Sequence, residues 1–421
     1  MKTTDSKKDW RRLDNVAKVF SLHSKNNINI FRYSVILKEK VDKKLLERAV
    51  QKTLDSYRAF KVKVSSGFFW NYLEINNKKI IIEEESEIPC KRINFEENND
   101  YLFKVTYYKN KINLDIFHVL TDGTGAIKFL KCIIYNYLSL KYKIPYKQND
   151  EGKNIYYNDQ YLKNYNKHIE VNSDIESAYL IDGKANKKIN NTYHYIINLN
   201  EIKKTCKKYN VTITEYLTSV YSYSIYSSIY NKKTNREIII EVPINLRNYY
   251  NVDTLSNFFV CMNINPKIIK NNNIKLIDIL NEVKKEFKRK TEADKVKSYL
   301  TRDVNLGMNI YIRLVPLFIK KLFIKYLGNL FSRASTTTLS NVGKIEIDSE
   351  YEKYVDNILV LVMPGEIQKI KCTICSFNEN LNVTINSNIE DIKFQRKFYE
   401  ILKKDIQKIK IESNTDIDLI I

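Results

Sequence analysis

The stretch FHVLTDGTGAIKFL at 117–130 constrains the fold most, because two different periodicities meet within it. Before it, INLDIF at 112–117 alternates apolar and polar side chains, the period of a half-buried strand. After it, Ile127, Leu130, Ile134 and Leu138 recur at helical spacing. That spacing predicts a helix over about 124–141, capped by Asp122 or Thr124 and ended before Pro145. His118 is thus expected at a strand end beside a helix N-terminus, with the sheet on one side and a loop-lined space on the other. His118, Asp122 and Gly123 are the leading catalytic candidates.

The same two periods organise the remainder. INIFRYSVILKE at 28–39 alternates like a first strand, and Asp42 caps a helix carrying Leu45, Leu46, Ala49, Val50, Thr53 and Leu54. Residues 60–75 form two alternating runs broken at Ser65, Ser66 and Gly67, and LFKVTYYKNKINLDIFHV forms a second hairpin turning at Asn110 and Lys111. A polar, aperiodic stretch from 146 to about 190 is the expected crossover between two units, 1–175 and 176–421, consistent with a chain of 421 residues. The second unit opens with the strand TYHYIINL and two helical stretches. REIIIEVPINLR is expected as a buried strand ending at Pro243 to Arg247, followed by a strand in DTLSNFFVCMNINP and an amphipathic helix in NIKLIDILNEVKKEFKRK. TTTLSNVGKIEI, NILVLVMPG, KCTICSF and LNVTINSN alternate like strands of one sheet, and a last helix closes the chain. Hairpins are too frequent for a doubly wound parallel sheet, so the class is α/β of the α+β type.

The net charge of +21 would ordinarily point to nucleic acid or an anionic surface. Here lysine, asparagine, isoleucine and tyrosine are enriched along the whole chain, and no arginine-rich block stands out. No nucleic-acid partner is expected. With 43% hydrophobic residues, a core can form over most of the length. Six scattered cysteines read as reduced thiols, and the polar start MKTTDSKKDWRRLDN lacks the apolar segment of a signal peptide. No apolar run reaches transmembrane length, so a cytoplasmic protein is expected, and a monomer is the expected state. Peripheral membrane contact stays open through 311–331, an apolar helix studded with lysines that either packs with its lysines snorkelling or lies on a membrane surface.

Histidine followed four residues on by aspartate serves either a core position or proton transfer. Neutral imidazole can take a proton from an alcohol, amine or thiol if Asp122 or a backbone carbonyl orients it. His23, His168 and His194 lack both the acidic residue four on and the turn glycines. Ser340 and Asn341 in LSNVG either supply hydrogen-bond donors to an oxyanion or end a strand in a turn. Asn257 in TLSNFF is a weaker candidate of that kind, with a structural hydrogen-bonding role favoured. GTG at 123–125 is followed by Lys128 where GxGxxG needs its third glycine, which argues against a dinucleotide site. Cys372 and Cys375 stand three apart in a strand pattern and so face opposite sides, which suits structure rather than metal or redox work.

FHVLTDGTGAIKFL resembles the HxxxDG active-site motif of the CoA-dependent acyltransferase superfamily, which includes condensation domains. RRLDNVAKVF, SSGFFWNYLEI, VPINLRNYY, TLSNFF and LSNVG resemble, in that order, bacterial alcohol acetyltransferase-like members. The segment SLHSKNN departs from the family, where a proline-containing turn is expected. The resemblance implies two similar lobes, each a mixed β-sheet with flanking helices, and an active-site tunnel between them, as in chloramphenicol acetyltransferase. It implies His118 as general base and Asp122 as a structural partner of Arg247. It also implies acyl-CoA, such as acetyl-CoA, as co-substrate with no tightly bound cofactor, and a small alcohol or other hydroxyl acceptor. Two alternatives remain: a condensation-type domain using a carrier-protein thioester, and a non-catalytic binding module.

Overall fold

The computed structural model describes residues 10–22, 29–85, 93–146, 159–171, 177–185, 190–268, 274–322 and 332–414. Most of SLHSKNN, Cys90, residues 147–158, 172–176 and 186–189 of the 146–190 crossover, and the end of the 311–331 stretch lie outside them.

Three sheets form. A five-stranded sheet runs, in spatial order, Val355–Val362, Ile30–Leu37, Lys111–Phe117, Phe103–Tyr108 and Ile82–Glu84. A seven-stranded sheet runs Phe259–Ile264, Ile240–Asn245, Thr337–Lys344, Ile370–Phe377, Asn380–Ser387, Asn191–Asn198 and Ile409–Ser413. A small third sheet joins Trp10–Arg12 to the hairpin Asn71–Ile75 and Val62–Ser66. Both parallel and antiparallel pairs occur in the two large sheets. This is a mixed α/β fold with two lobes.

Each lobe has its own core. In the first, helices Lys43–Ser56 and Gly123–Tyr142 lie against each other and bury Leu46, Ala49, Val50, Phe129, Ile133 and Tyr137 with the five-stranded sheet. Asp42 fixes the first helix start by accepting from Leu45 N at 3.0 Å. In the second, Ile213–Ser228, Leu276–Lys290 and Lys393–Lys403 cover the seven-stranded sheet around Tyr216, Tyr221, Val283 and Phe398. Thr212 and Glu215 make a reciprocal capping box at the first of these helices.

Several boundaries differ from the sequence expectation. The strand Val355–Val362 does not join its neighbours in sequence. It pairs antiparallel with Ile30–Leu37 and so completes the first lobe's sheet with residues from the second half of the chain. There it lies beneath the other sheet: Thr373 Oγ1 donates to Val360 O at 2.6 Å and Asn382 Nδ2 to Ile358 O at 2.9 Å. The second hairpin turns one residue early, at Lys109 (φ 53°) and Asn110, because Lys111 already pairs with Tyr108. The final helix is followed by the strand Ile409–Ser413, and Trp10–Arg12 precedes the expected first strand. The 311–331 helix is interrupted. Ile310–Leu314 ends at Val315, which is held extended (φ −70°, ψ 130°) before Pro316, and helix resumes at Leu317.

Candidate active site

The chain delivers His118 by running out of the strand Lys111–Phe117 and turning at once. His118 N donates to Asn29 O at 2.9 Å, and Leu120 N to Phe117 O at 2.8 Å. Asp122 then caps the following helix, accepting from Thr124 N and Gly125 N at 3.1 Å each. The helix starts against the other lobe. A Cβ on Gly125 would stand 2.0 Å from Thr121 Oγ1 and 2.8 Å from Leu255 O, so a side chain cannot fit without moving backbone. Gly123 is a packing position, its carbonyl accepting from the Tyr33 hydroxyl at 3.1 Å.

The His118 ring is half-buried among Phe31, Phe20 and Phe259, with centroids 4.6, 5.0 and 5.7 Å away. Its Nδ1 lies 3.3 Å from Asn257 Oδ1. The orientation of that amide follows from its other contacts. Asn257 Nδ2 donates to His118 O at 3.0 Å and to Asp14 Oδ2 at 3.1 Å, and both partners are acceptors. Asn257 therefore turns its oxygen to the imidazole, Nδ1 carries the hydrogen, and the Nε2 lone pair is left for chemistry. Burial pushes the imidazole down to about 4, against the opposing pull of Asp122 and the Asn257 hydrogen bond, and the Lys371 ammonium adds to the fall. The ring is neutral at pH 7. Asp14, which holds Asn257, is itself pushed up to about 7 by burial, against the hydrogen bonds from Ala17 and Asn257.

Asp122 faces away from this pair. Arg247 Nη1 meets its Oδ2 at 2.8 Å and Arg247 Nη2 meets its Oδ1 at 3.0 Å, while Phe258 N donates to Oδ2 at 2.9 Å. Arg247 opens a short helical turn, Arg247–Tyr250, after the strand Ile240–Asn245, and so does not itself end a strand as the sequence suggested. Its other hydrogen bonds go to Thr254 O, Ser256 O and Asn245 Oδ1. The loop before Phe258 is thereby wrapped around the guanidinium, and that loop presents Asn257.

Ser340 and Asn341 sit inside the strand Thr337–Lys344 rather than at its end, just before a register shift that begins after Asn341. Their surroundings differ. Asn341 Nδ2 donates to Thr214 Oγ1 and its Oδ1 accepts from Gly343 N, both at 2.9 Å, and Gly343 adopts the left-handed φ of 82° that this turn requires. Leu339 is buried in the second lobe's core, so its neighbour Ser340 points to the opposite face of the sheet, the side on which Val342 packs against the first core, with its Cγ1 3.5 Å from where a Cβ on Gly123 would stand. That puts the Ser340 face toward the helix start beside His118.

Cys372 and Cys375 do lie on opposite faces, one in each core, and burial raises both thiols, Cys375 to about 12. Lys128 points to the surface and pairs with Asp253 at 2.5 Å. Among the described residues no group of three or more His, Cys, Asp or Glu could hold a metal ion. A cleft of about 600 Å³ lined by Ile36, Ile196, Asp356 and Lys403 lies away from His118, since Ile36 is at the far end of its strand from Ile30, the residue paired with Phe117. Asp14 and the three phenylalanines were not singled out by sequence. Asp14 sits in RRLDNVAKVF, where nothing local marks a carboxylate that will meet residue 257.

No family model matches the sequence, and no curated protein matches it. Solved structures do. Polyketide synthase associated protein 5 from Mycobacterium tuberculosis superposes with a TM-score of 0.62 at 10% identity, covering 93% of this chain and 96% of that one. The starter condensation domain of rhizomide synthetase, in a doubly substituted form with C8-CoA and Leu-SNAC, gives 0.62 at 10% identity and 95% of each chain. Trichothecene 15-O-acetyltransferase from Fusarium sporotrichioides gives 0.62 at 11% identity, covering 93% and 94%. The chain shares the fold of condensation domains and CoA-dependent acyltransferases.

Proposed function

We propose that this chain is an acyl-CoA-dependent O-acyltransferase, of alcohol acetyltransferase type, working between its two lobes, the first of which takes the strand Val355–Val362 from the second half of the chain. The observation that carries the reading is a neutral His118 whose Nδ1 hydrogen is engaged by Asn257, leaving Nε2 as a base. In this reading Nε2 takes the hydroxyl proton as the acceptor oxygen attacks the thioester carbonyl. A C–O bond forms, the carbonyl π pair moves to oxygen, and Ser340 or Asn341 donates to that oxyanion. Collapse breaks the C–S bond, and the leaving thiolate takes the proton back from the imidazolium. No acyl-enzyme is needed, because no serine or cysteine is hydrogen-bonded to the ring among the described residues. Structural neighbours that are an O-acetyltransferase, or that were solved with coenzyme A, support the donor and acceptor classes.

A second reading has a specific support. The rhizomide synthetase condensation domain fits equally well and was solved with the aminoacyl thioester Leu-SNAC beside C8-CoA, which supports a condensation-type reaction with a thioester-borne partner as the second reading. One experiment separates the readings: purified protein is given acetyl-CoA, longer acyl-CoAs or acyl-pantetheine thioesters with a panel of alcohols and amines, and free thiol is followed. Thiol release that depends on an alcohol supports the proposal. Release only with amines and the pantetheine thioesters favours the condensation reading, and no acceptor-dependent release removes both.

A further inference from the structure

The segment after the helix Ala293–Met308 inverts the usual pattern of a surface helix. Ile310, Leu314, Phe318 and Leu322 recur every four residues, yet they face outward, with Leu314, Phe318 and Leu322 exposed to 64, 67 and 74% and Tyr311 to 81%. The inward positions are Leu317 and Lys320, which are buried. Both dock on the tip of the hairpin that joins Val62–Ser66 to Asn71–Ile75. Leu317 N donates to Phe68 O at 2.8 Å, and Lys320 Nζ donates to Phe69 O at 2.9 Å while standing 3.7 Å over the Trp70 ring. The hairpin tip in turn exposes Phe68 at 71%. A lysine spent on holding two elements together thus fixes a raised apolar face in which both contribute side chains.

Exposed apolar clusters of this kind mark an interaction surface. Arg313 and Lys321 are exposed on the same segment, so the face carries positive charge of its own. That charge opposes pairing with a second copy of the same chain and favours an anionic surface. No helix among the described residues is long and apolar enough to cross a membrane, so the face would lie on a bilayer rather than span it. We propose that Phe68, Tyr311, Leu314, Phe318 and Leu322 insert into the interface of an anionic lipid bilayer, with Arg313 and Lys321 meeting its headgroups. The docking face is joined to the proposed site through Asn71, whose Nδ2 donates to Ser21 O at 3.0 Å next to Phe20.

The test is co-sedimentation of the full chain with phosphatidylcholine vesicles, with and without phosphatidylglycerol, beside a variant carrying Phe68→Ser, Tyr311→Ser, Leu314→Ser and Phe318→Ser. All four side chains are exposed, so an unchanged melting temperature is expected and is measured alongside. Wild type should sediment with the phosphatidylglycerol vesicles, and the variant should bind them about tenfold less or weaker still. Arg313→Gln with Lys321→Gln should weaken binding to those vesicles and reduce its salt dependence. The proposal is overturned if wild type stays in the supernatant, or if the serine variant sediments like wild type, which would mean binding by net charge alone. A wild-type dimer that the serine substitutions dissociate, without vesicle binding, would assign the face to a second copy and equally overturn it.

Discussion

Arg247 grips Asp122 with two parallel hydrogen bonds of 2.8 and 3.0 Å across the two halves of the chain, and both side chains are buried. The carboxylate also receives three backbone N–H groups, from Thr124, Gly125 and Phe258. It therefore ties the helix after His118 to the loop that presents Asn257. Removing one partner leaves a buried charge without its counterion, which typically costs about 3–5 kcal/mol. Asp122→Ala and Arg247→Ala should each destabilise by about that much in chemical denaturation and lower turnover as well, and the double variant should lose less than the sum. Single variants as stable as wild type would rule out this tie.

Asn257 fixes which imidazole nitrogen is free. Asn257→Ala removes the acceptor for Nδ1–H and both donors that hold the amide between His118 O and Asp14. Turnover should drop about tenfold or more with acyl-CoA affinity little changed. If kcat were unaffected while KM for the donor rose, Asn257 would be a binding residue instead.

The pH dependence follows from two shifts of opposite sign. His118 titrates at about 4 in the fold against an ordinary 6.5, so kcat/KM should stay level from pH 7 to about 5 and fall below that as the base is protonated. For stability, the unfolded chain binds a proton at this histidine between pH 6.5 and 4 that the folded chain refuses, so its contribution is present above 6.5 and lost toward 4. Asp14 acts the other way, because the folded chain holds its proton from about 7 down while the unfolded chain does so only near 3.8. Comparing wild type with His118→Ala isolates the histidine. As pH falls from 6.5 to 4, wild type should lose stability relative to the variant, and parallel curves would contradict the depressed pKa.

Ser340 and Asn341 should separate. The Asn341 side chain is already engaged by Thr214 and Gly343, whereas the Ser340 hydroxyl makes no hydrogen bond among the described residues. Ser340→Ala should lower kcat by about 10² with unchanged CoA binding, and Asn341→Ala should mainly lower the melting temperature. The reverse pattern in kinetics would move the oxyanion role to Asn341.

What the sequence disclosed depended on how local the cause was. The strand, turn and helix around His118 were legible because alternation stops and helical spacing begins within a few residues, and Asp42 was legible as a cap for the same reason. The strand Val355–Val362 was legible as a strand but not as a member of the first sheet. Alternation records which face is buried, not which strand lies alongside. The strand Ile409–Ser413, IKIES, does alternate, but it begins within a few residues of the helix Lys393–Lys403, and Ile406 and Ile409 continue the helical spacing of Phe398, Ile401 and Leu402, so the pattern reads as more helix. Asp14 and Asn257 are 243 residues apart, and their contact exists only once the lobes close around His118.

The most direct test is His118→Ala in an acceptor-dependent thiol-release assay with the full chain, its fold checked by circular dichroism and melting temperature. The ring is only half-buried and packs by aromatic contacts, so the variant should fold. Turnover should fall by about 10² to 10⁴ while acyl-CoA still binds. A folded His118→Ala protein that releases thiol at the wild-type rate would contradict the assignment of the base.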